Sequence, residues 1–373
     1  MKFPVLFLIS LFFGLKVNAQ TIPLDAAHWR VINNDNHRPA ELRLVEHQGK
    51  KAIHLQRHEI TIPQLDLQKY ANFSLSFEVA GEVMPGVGFR MADLWNYEYV
   101  YFRIGGSGKK TAIQYIPIYN GSQSWQLYNY PNYEGVANYE KGTWFKVDIK
   151  VYGNDIQVFI DGQRQPNFEG QLMRDDLKSG PFFFKTTFAN AYYTNVQIQP
   201  LEQPIKVSPK ATPYAYLTDW QLSEQFEQDL HSQGAVYRMM ESTKDKKWQS
   251  VRADRHGLVN LSKFYETPRH TVIAKTTIPS DTDKTVNLLF DYSFAAIILL
   301  NNQILFAGKE LDTNNFMEVQ DGEQRLTLDL KAGDNELLFL ITADDLWQKS
   351  VGNPTYLGTM QAMNWGFLAR LED

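Results

Sequence analysis

Apolar and polar residues alternate at period two through most of the chain. Between Thr21 and Gln199 no stretch of useful length repeats at the helical period. In ELRLVEHQGKKAIHLQ, Leu42 and Leu44 alternate with charge, Gln48-Gly49-Lys50 turns the chain, and Ile53 and Leu55 resume the pattern, as a hairpin requires. FSLSFEVA places Phe73, Leu75, Phe77 and Val79 on one side. WFKVDIKV places Phe145, Val147, Ile149 and Val151 inside and Lys146, Asp148 and Lys150 outside. Gly153-Asn154-Asp155 turns it into IQVFIDGQ, where Ile156, Val158 and Ile160 repeat the pattern, and FFFKTTFANAYYTNVQIQ supplies two more strands.

The densest stretch runs from Gly88 to Tyr128. There Tyr97, Tyr99, Tyr101 and Arg103 fall on one strand face, and Val100, Phe102 and Ile104 on the other. The second is a core face. The first is aromatic with polar handles, suited to a half-buried sheet or to a surface on which sugar rings stack.

Leu201 to Pro213 holds three prolines and no periodicity, which marks a linker over 201–213. After it, YLTDWQLSEQFEQDL is read as containing a short helix near Ser223, and Lys244 to Lys247 as an exposed charged loop. Strands return from Thr271 in HTVIAKTTI, KTVNLLFDYSFAAIILLNNQILFAG, RLTLDLKAGDNELLFLITA and WGFLARL. The expected fold class is all-β, with two β-sandwich domains in tandem over 21–200 and 214–373.

Residues 1–20 carry Lys2, an apolar run from Phe3 to Leu15 and the small-residue ending Val17-Asn18-Ala19, the layout of a signal peptide cut after Ala19. The expectation is therefore a secreted or periplasmic protein, with no transmembrane segment in the remainder. The chain has no cysteine, which excludes disulfides, thiolate metal sites and cysteine nucleophiles. Its formal charge is −5, or −7 without Lys2 and Lys16, which argues against nucleic acid or anionic lipid as a partner. The aromatic content of 13% favours β-structure and neutral ligands.

GTWFKVDIKVYGNDIQVFIDGQ resembles the paired strands of concanavalin A-like or laminin-G-like jelly rolls, a likeness covering residues 21–200. That fold hosts lectins, glycosidases, polysaccharide lyases and adhesion modules, so the resemblance implies a fold more than a function. AAIILLNNQILFAG and LDLKAGDNELLFLI resemble the strand-turn-strand units of galactose-binding-like β-sandwiches. DWQLSEQF resembles their tryptophan-led opening beside glycoside hydrolases.

Glycosidic hydrolysis needs two carboxyl groups about 5–10 Å apart, and the E-x-D-x-x-E and E-x-D-x-E strands of the glucanase members do not occur here. Glu98 stands alone in its strand with Asp93 before it, and is expected to pair with Arg90 or Arg103. Lyases on this fold use a His or Tyr base with Arg and Gln; Arg103, Gln114 and Tyr115 echo that set, without a histidine between Met91 and Gln199. His28, His37, His47, His54 and His58 lack metal-ligand spacing and read as solvent-exposed. Asp281 and Asp283 have the chemistry of a structural calcium corner, and equally of a turn; no other cofactor is expected. Ile104 to Lys110 is read as a hairpin loop, not a phosphate loop.

The residues picked out for ligand binding are therefore Arg90, Tyr97, Tyr99, Tyr101, Arg103, Gln114, Tyr115, Tyr119 and Trp125, with an oligo- or polysaccharide as partner. The expected function is carbohydrate binding on the N-terminal sandwich. A glycoside hydrolase or polysaccharide lyase, and a structural or adhesion protein, are the alternatives.

Overall fold

The computed structural model describes residues 19–33, 38–66, 70–124, 127–129, 131–208, 214–226, 236–237, 241, 247–265, 271–309, 318–343 and 365–372. The proposed signal segment up to residue 18 and Trp125 lie outside the described residues. Four antiparallel sheets form two sandwiches in tandem. The first sheet runs Phe168–Gln171, Asp155–Ile160, Phe145–Tyr152, Phe73–Gly81, Ala191–Pro200, Lys50–Leu55, Arg43–His47, with Gln20–Thr21 paired to Ala191–Pro200. The second runs Glu134–Gly135, Ile113–Ile118, Asn96–Phe102, Pro85–Asp93, Phe183–Thr186, Glu59–Pro63, Trp29–Asn33, Pro39–Ala40.

These two sheets meet through the faces that the alternation marks. Phe77 lies 4.8 Å from Phe184 and 6.5 Å from Phe102, and Phe102 lies 5.6 Å from Phe145 in an edge-on contact. Phe73, Leu75, Phe77, Val79, Val147, Ile149 and Val158 are all buried in this core, the spacing expected of inward positions in a sandwich. On the opposite side of Phe145–Tyr152, Lys146 pairs with Asp148 at 3.0 Å in partial contact with water.

In the second sandwich, Trp248–Arg252, Asp219–Ser223, Thr271–Ser280, Gly333–Thr342, Ala295–Leu300 and Gln303–Lys309 form one sheet. Leu258–Asn260, Gly366–Glu372, Lys284–Tyr292 and Gln324–Leu330 form the other. The core gathers Trp220, Phe290, Phe339 and Phe367, with Phe339 stacked on Phe367 at 5.2 Å.

The helix read near Ser223 is instead the strand Asp219–Ser223. It is paired on one side with Trp248–Arg252 and on the other with Thr271–Ser280. Trp220 and Leu222 alternate into the core, and two flanking ladders satisfy the backbone where an isolated helical turn would not. The proline-rich stretch follows the first sandwich at its start: Leu201 N donates to Asn72 O, and Gln157 Nε2 donates to Lys206 O. Among the described residues no helix is long and apolar enough to cross a membrane.

Candidate functional site

Register decides which residues share a face with the tyrosines. Tyr101 lies opposite Gln114 on one neighbour and Gly86 on the other, while Tyr99 lies opposite Ile116 and Gly88. Gln114 in turn lies opposite Glu134, and Gly86 lies opposite Lys185. Partners in a ladder point the same way, so Glu134, Gln114, Tyr101, Tyr99, Tyr97 and Lys185 share one face of the second sheet, opposite to that of Val100 and Phe102, and the three tyrosines belong to the buried core.

The two glycines make room for the rings. A Cβ at Gly86 would stand 2.5 Å from Tyr99 Oη, and one at Gly88 would stand 2.2 Å from the Phe183 ring. Replacing Gly88 with alanine should therefore cost about 1–3 kcal/mol by overpacking, read as a lower midpoint in urea with an unchanged slope. Tyr99 stacks on Tyr101 at 5.4 Å, and Tyr97 meets Phe183 edge-on at 4.8 Å. Lys185 Nζ sits 5.4 Å above Tyr99 and donates to Tyr97 Oη at 3.3 Å. Tyr101 Oη donates to Gln114 Oε1, and Gln114 Nε2 donates to Glu134 Oε1.

All six side chains are buried rather than spread on an open surface. Burial holds the phenols of Tyr97, Tyr99 and Tyr101 above their ordinary range, so they remain neutral donors. Arg103, half-buried, acts on the Tyr101 hydroxyl through its charge.

Tyr115 falls on the other face. It lies opposite Val100 and stacks on Phe168 of the first sheet at 6.3 Å. Its hydroxyl donates to Glu98 Oε2 at 2.7 Å and accepts from Met173 N at 2.6 Å, while Arg174 N donates to Glu98 Oε1 at 3.0 Å. Glu98 is wholly buried, and burial pushes its carboxyl up to about 7 against the opposing pull of those two hydrogen bonds.

Arg90 does not pair with it directly. At a φ of 51° in a bulged strand, Arg90 sends Nη2 to Ala71 O at 3.0 Å and Gly153 O at 2.6 Å, and Nη1 to Leu177 O at 3.3 Å. It is a buried clamp on three loops. The direct partners of Glu98 are Tyr115 and the Arg174 backbone, which the expected Arg90 or Arg103 pairing did not include.

Arg174 closes this end of the sandwich. Its Nη1 donates to Asn96 Oδ1 at 3.1 Å and to Ile118 O, its Nε and Nη2 donate to Asp176 at 2.9 and 2.6 Å, and its guanidinium lies 4.4 Å over Tyr119. Tyr119 is nine-tenths or more buried, yet it borders two openings at the junction of the sandwiches. The larger, about 560 Å³, is lined by Tyr119, Tyr128, Met173, Asp254, Asn260 and Lys263 among others. The smaller, about 310 Å³, includes Asn96, Arg174 and Asp176.

Of the other sequence candidates, His37 lies outside the described residues, His28 is part-exposed beside Asp25, and the remaining three histidines are not simply solvated. His47 and His54 stack on Tyr192 at 3.8 and 4.7 Å, and His58 is buried; His54 and Tyr192 are ladder partners on neighbouring strands, so the flat imidazole packs on the phenol ring. Asp283 accepts from Lys331 Nζ at 3.1 Å and Ala332 N at 2.8 Å, which holds its carboxyl below the usual range. Among the described residues no three His, Asp or Glu side chains group as metal ligands. Lys185, Glu134, Arg174 and Asp254 were not among the sequence candidates. A lone lysine inside FFFKTTF was the one available signal.

Comparison with known proteins places residues 25–199 on the family model described as the 3-keto-alpha-glucoside-1,2-lyase-like domain. No curated protein matches the chain. Among solved structures, the chain is similar to the carbohydrate-binding module CBM66 from Bacillus subtilis, at 10% identity over 46% of this chain and 95% of that one, with a TM-score of 0.35. Domain 4 of AbnA, a GH43 extracellular arabinanase from Geobacillus stearothermophilus in complex with arabinotriose, aligns at 12% identity over 49% of this chain and 93% of that one, TM-score 0.34. A putative glycosyl hydrolase from Parabacteroides distasonis aligns at 13% identity over 48% and 90%, TM-score 0.33.

Proposed function

We propose that this chain is a secreted carbohydrate-binding protein that holds a glycan against the face of the second sheet that carries Tyr97, Tyr99 and Tyr101. The observation that carries the reading is the polar network buried there: Lys185 on Tyr97, and Tyr101 through Gln114 to Glu134. An ammonium and a carboxylate are costly to remove from water, so their presence beside the phenols on this buried face supports a polar occupant. Alternating donors and acceptors beside neutral phenols are the chemistry that sugar hydroxyls require. The family match over residues 25–199 supports a sugar as the ligand. The N-terminal sandwich as a concanavalin A-like jelly roll, and the C-terminal one as galactose-binding-like, are parts of the same proposal.

The family description favours one second reading, an eliminative glycosidase. A ketone at C3 of a glucoside acidifies the C2 proton. Loss of that proton to a base, with formation of the C1–C2 double bond, expels the C1 oxygen as the leaving alcohol. Such a site needs one base and one cation beside the enolate oxygen; Glu134 and Lys185 are the carboxylate and ammonium that this face offers.

The test is a glycan array and calorimetric titration of the chain beside Tyr101→Phe, with product release followed on every ligand bound. Removing the Tyr101 hydroxyl leaves Gln114 short of a donor, so affinity should fall by about tenfold, the value of one to two hydrogen bonds, while the variant still melts cooperatively. Undiminished binding would remove the ligand from this face. Release of an unsaturated sugar, abolished in Lys185→Met, would replace the binding reading with the eliminative one.

A further inference from the structure

The larger opening at the junction of the sandwiches holds a group that the fold itself does not use. Asp254 sits in the turn that leads to Leu258–Asn260. Its Oδ1 accepts from His256 N at 3.0 Å and Leu258 N at 3.1 Å. Its Oδ2 is shut off from solvent and has no hydrogen-bond partner among the described residues. An acceptor in that condition costs stability, and the turn is already satisfied by the other oxygen.

Around it the walls are fixed by bonds between the two sandwiches. Asn260 Nδ2 donates to Tyr128 Oη at 3.0 Å and Ser124 Oγ at 3.4 Å, Asn260 Oδ1 accepts from Ser262 N at 3.0 Å, and Asn120 Nδ2 donates to Ser262 O at 3.0 Å. Tyr128 therefore receives one hydrogen bond and keeps its own proton, since burial and the charge of Asp254 hold its phenol well above the ordinary range. Lys263 is exposed at the rim, with Nζ 5.9 Å over Tyr119 and 5.7 Å over Phe264.

We propose that this cleft is a second, smaller saccharide site, in which Asp254 Oδ2 accepts a hydroxyl proton and Tyr128 and Lys263 donate to neighbouring oxygens. Asp175, Arg252 and Arg255 also line the opening, with their side chains exposed; the shielded acceptor of Asp254 between the donors Tyr128 and Lys263 matches a vicinal diol, whose adjacent hydroxyls give and receive in turn. A volume of about 560 Å³ accommodates one or two neutral sugar rings. The choice of a sugar over another hydroxylated ligand rests on the proposed carbohydrate function. The position does not: the site requires residues of both sandwiches and none of the tyrosines at 97, 99 and 101.

The experiment titrates the chain, Asp254→Asn and Tyr101→Phe with sucrose, trehalose and cellobiose by calorimetry, and follows the melting temperature of each with and without sugar. Asparagine keeps the turn-making oxygen, so Asp254→Asn should fold and melt no lower than the parent. A structural carboxylate would instead lose stability on replacement. At least one disaccharide should bind the parent and Tyr101→Phe equally, and bind Asp254→Asn at least tenfold more weakly. Equal affinity in Asp254→Asn would overturn the site. So would a parent that binds none of the three disaccharides, even if long glycans still bind in a Tyr101-dependent way. Long-glycan binding lost in Tyr101→Phe with disaccharide binding lost in Asp254→Asn would establish two separate sites.

Discussion

Replacing Arg174 with methionine should lower the stability of the folded chain by about 3–5 kcal/mol, the usual cost of removing one member of a buried charged network. The ion pair with Asp176 is not the reason. Asp176 is 60% exposed, against 5% for the Arg174 side chain, and a pair with one end in water contributes about 0–1 kcal/mol. The loss comes from the buried end. The Ile118 carbonyl and Asn96 Oδ1 each lose a donor, the Tyr119 ring loses the nearer of its two cations, and Glu98 loses a nearby positive charge. Asp176→Asn separates the two contributions: it should cost no more than about 1 kcal/mol in the same urea titration. A methionine variant as stable as Asp176→Asn would show that this end of the sandwich is held by apolar packing alone. Because Arg174 borders the smaller opening and Tyr119 borders both, the methionine variant should also loosen disaccharide binding in the cleft.

What could be read from the chain beforehand follows from where water lies. Phe145–Tyr152 has a dry face and a wet face, so its alternation states both its conformation and its orientation. Asn96–Phe102 is buried on both faces. There the alternation of Tyr97, Tyr99 and Tyr101 with Glu98, Val100 and Phe102 gives a strand but does not tell which face is closed.

Register was a second obstacle. Tyr115 reads as a companion of Tyr101 only if the connection from Arg103 to Ala112 is miscounted by one residue. The short helical turn Ile104–Gly106 inside it sets Gln114, not Tyr115, opposite Tyr101. The remaining site residues are remote in sequence from their partners. Lys185 reaches Tyr97 across 88 residues, and Asn260 reaches Tyr128 across 132. Nothing local in ADRHG distinguishes Asp254 from an ordinary turn aspartate; the distinction is the oxygen left over once the turn is made. The strand at Asp219–Ser223 is not legible locally for a related reason, since only its two partner ladders decide its conformation.

Glu98→Gln should change how stability depends on pH more than it changes stability at any one pH. The Glu98 carboxyl is raised from 4.5 to about 7 in the folded chain by burial. Between those values the folded state holds a proton that the unfolded state releases, so the unfolded state binds fewer protons and stability falls as pH rises. The contribution is fully present below the unfolded value near 4.5 and is lost as pH rises through about 7. A shift of this size corresponds to about 3 kcal/mol between pH 4 and pH 8. Glutamine is neutral throughout that range and can still accept from Arg174 N. The stability of Glu98→Gln relative to the parent should therefore rise by about 3 kcal/mol from pH 4 to pH 8, measured as paired urea titrations. Asp254, raised to about 6 by burial, contributes a slope of the same sign. It is common to both proteins and cancels in the difference. A difference that stays flat with pH would mean that Glu98 titrates as it does in the unfolded chain, and that Tyr115 and the Arg174 backbone stabilise its anion enough to offset burial.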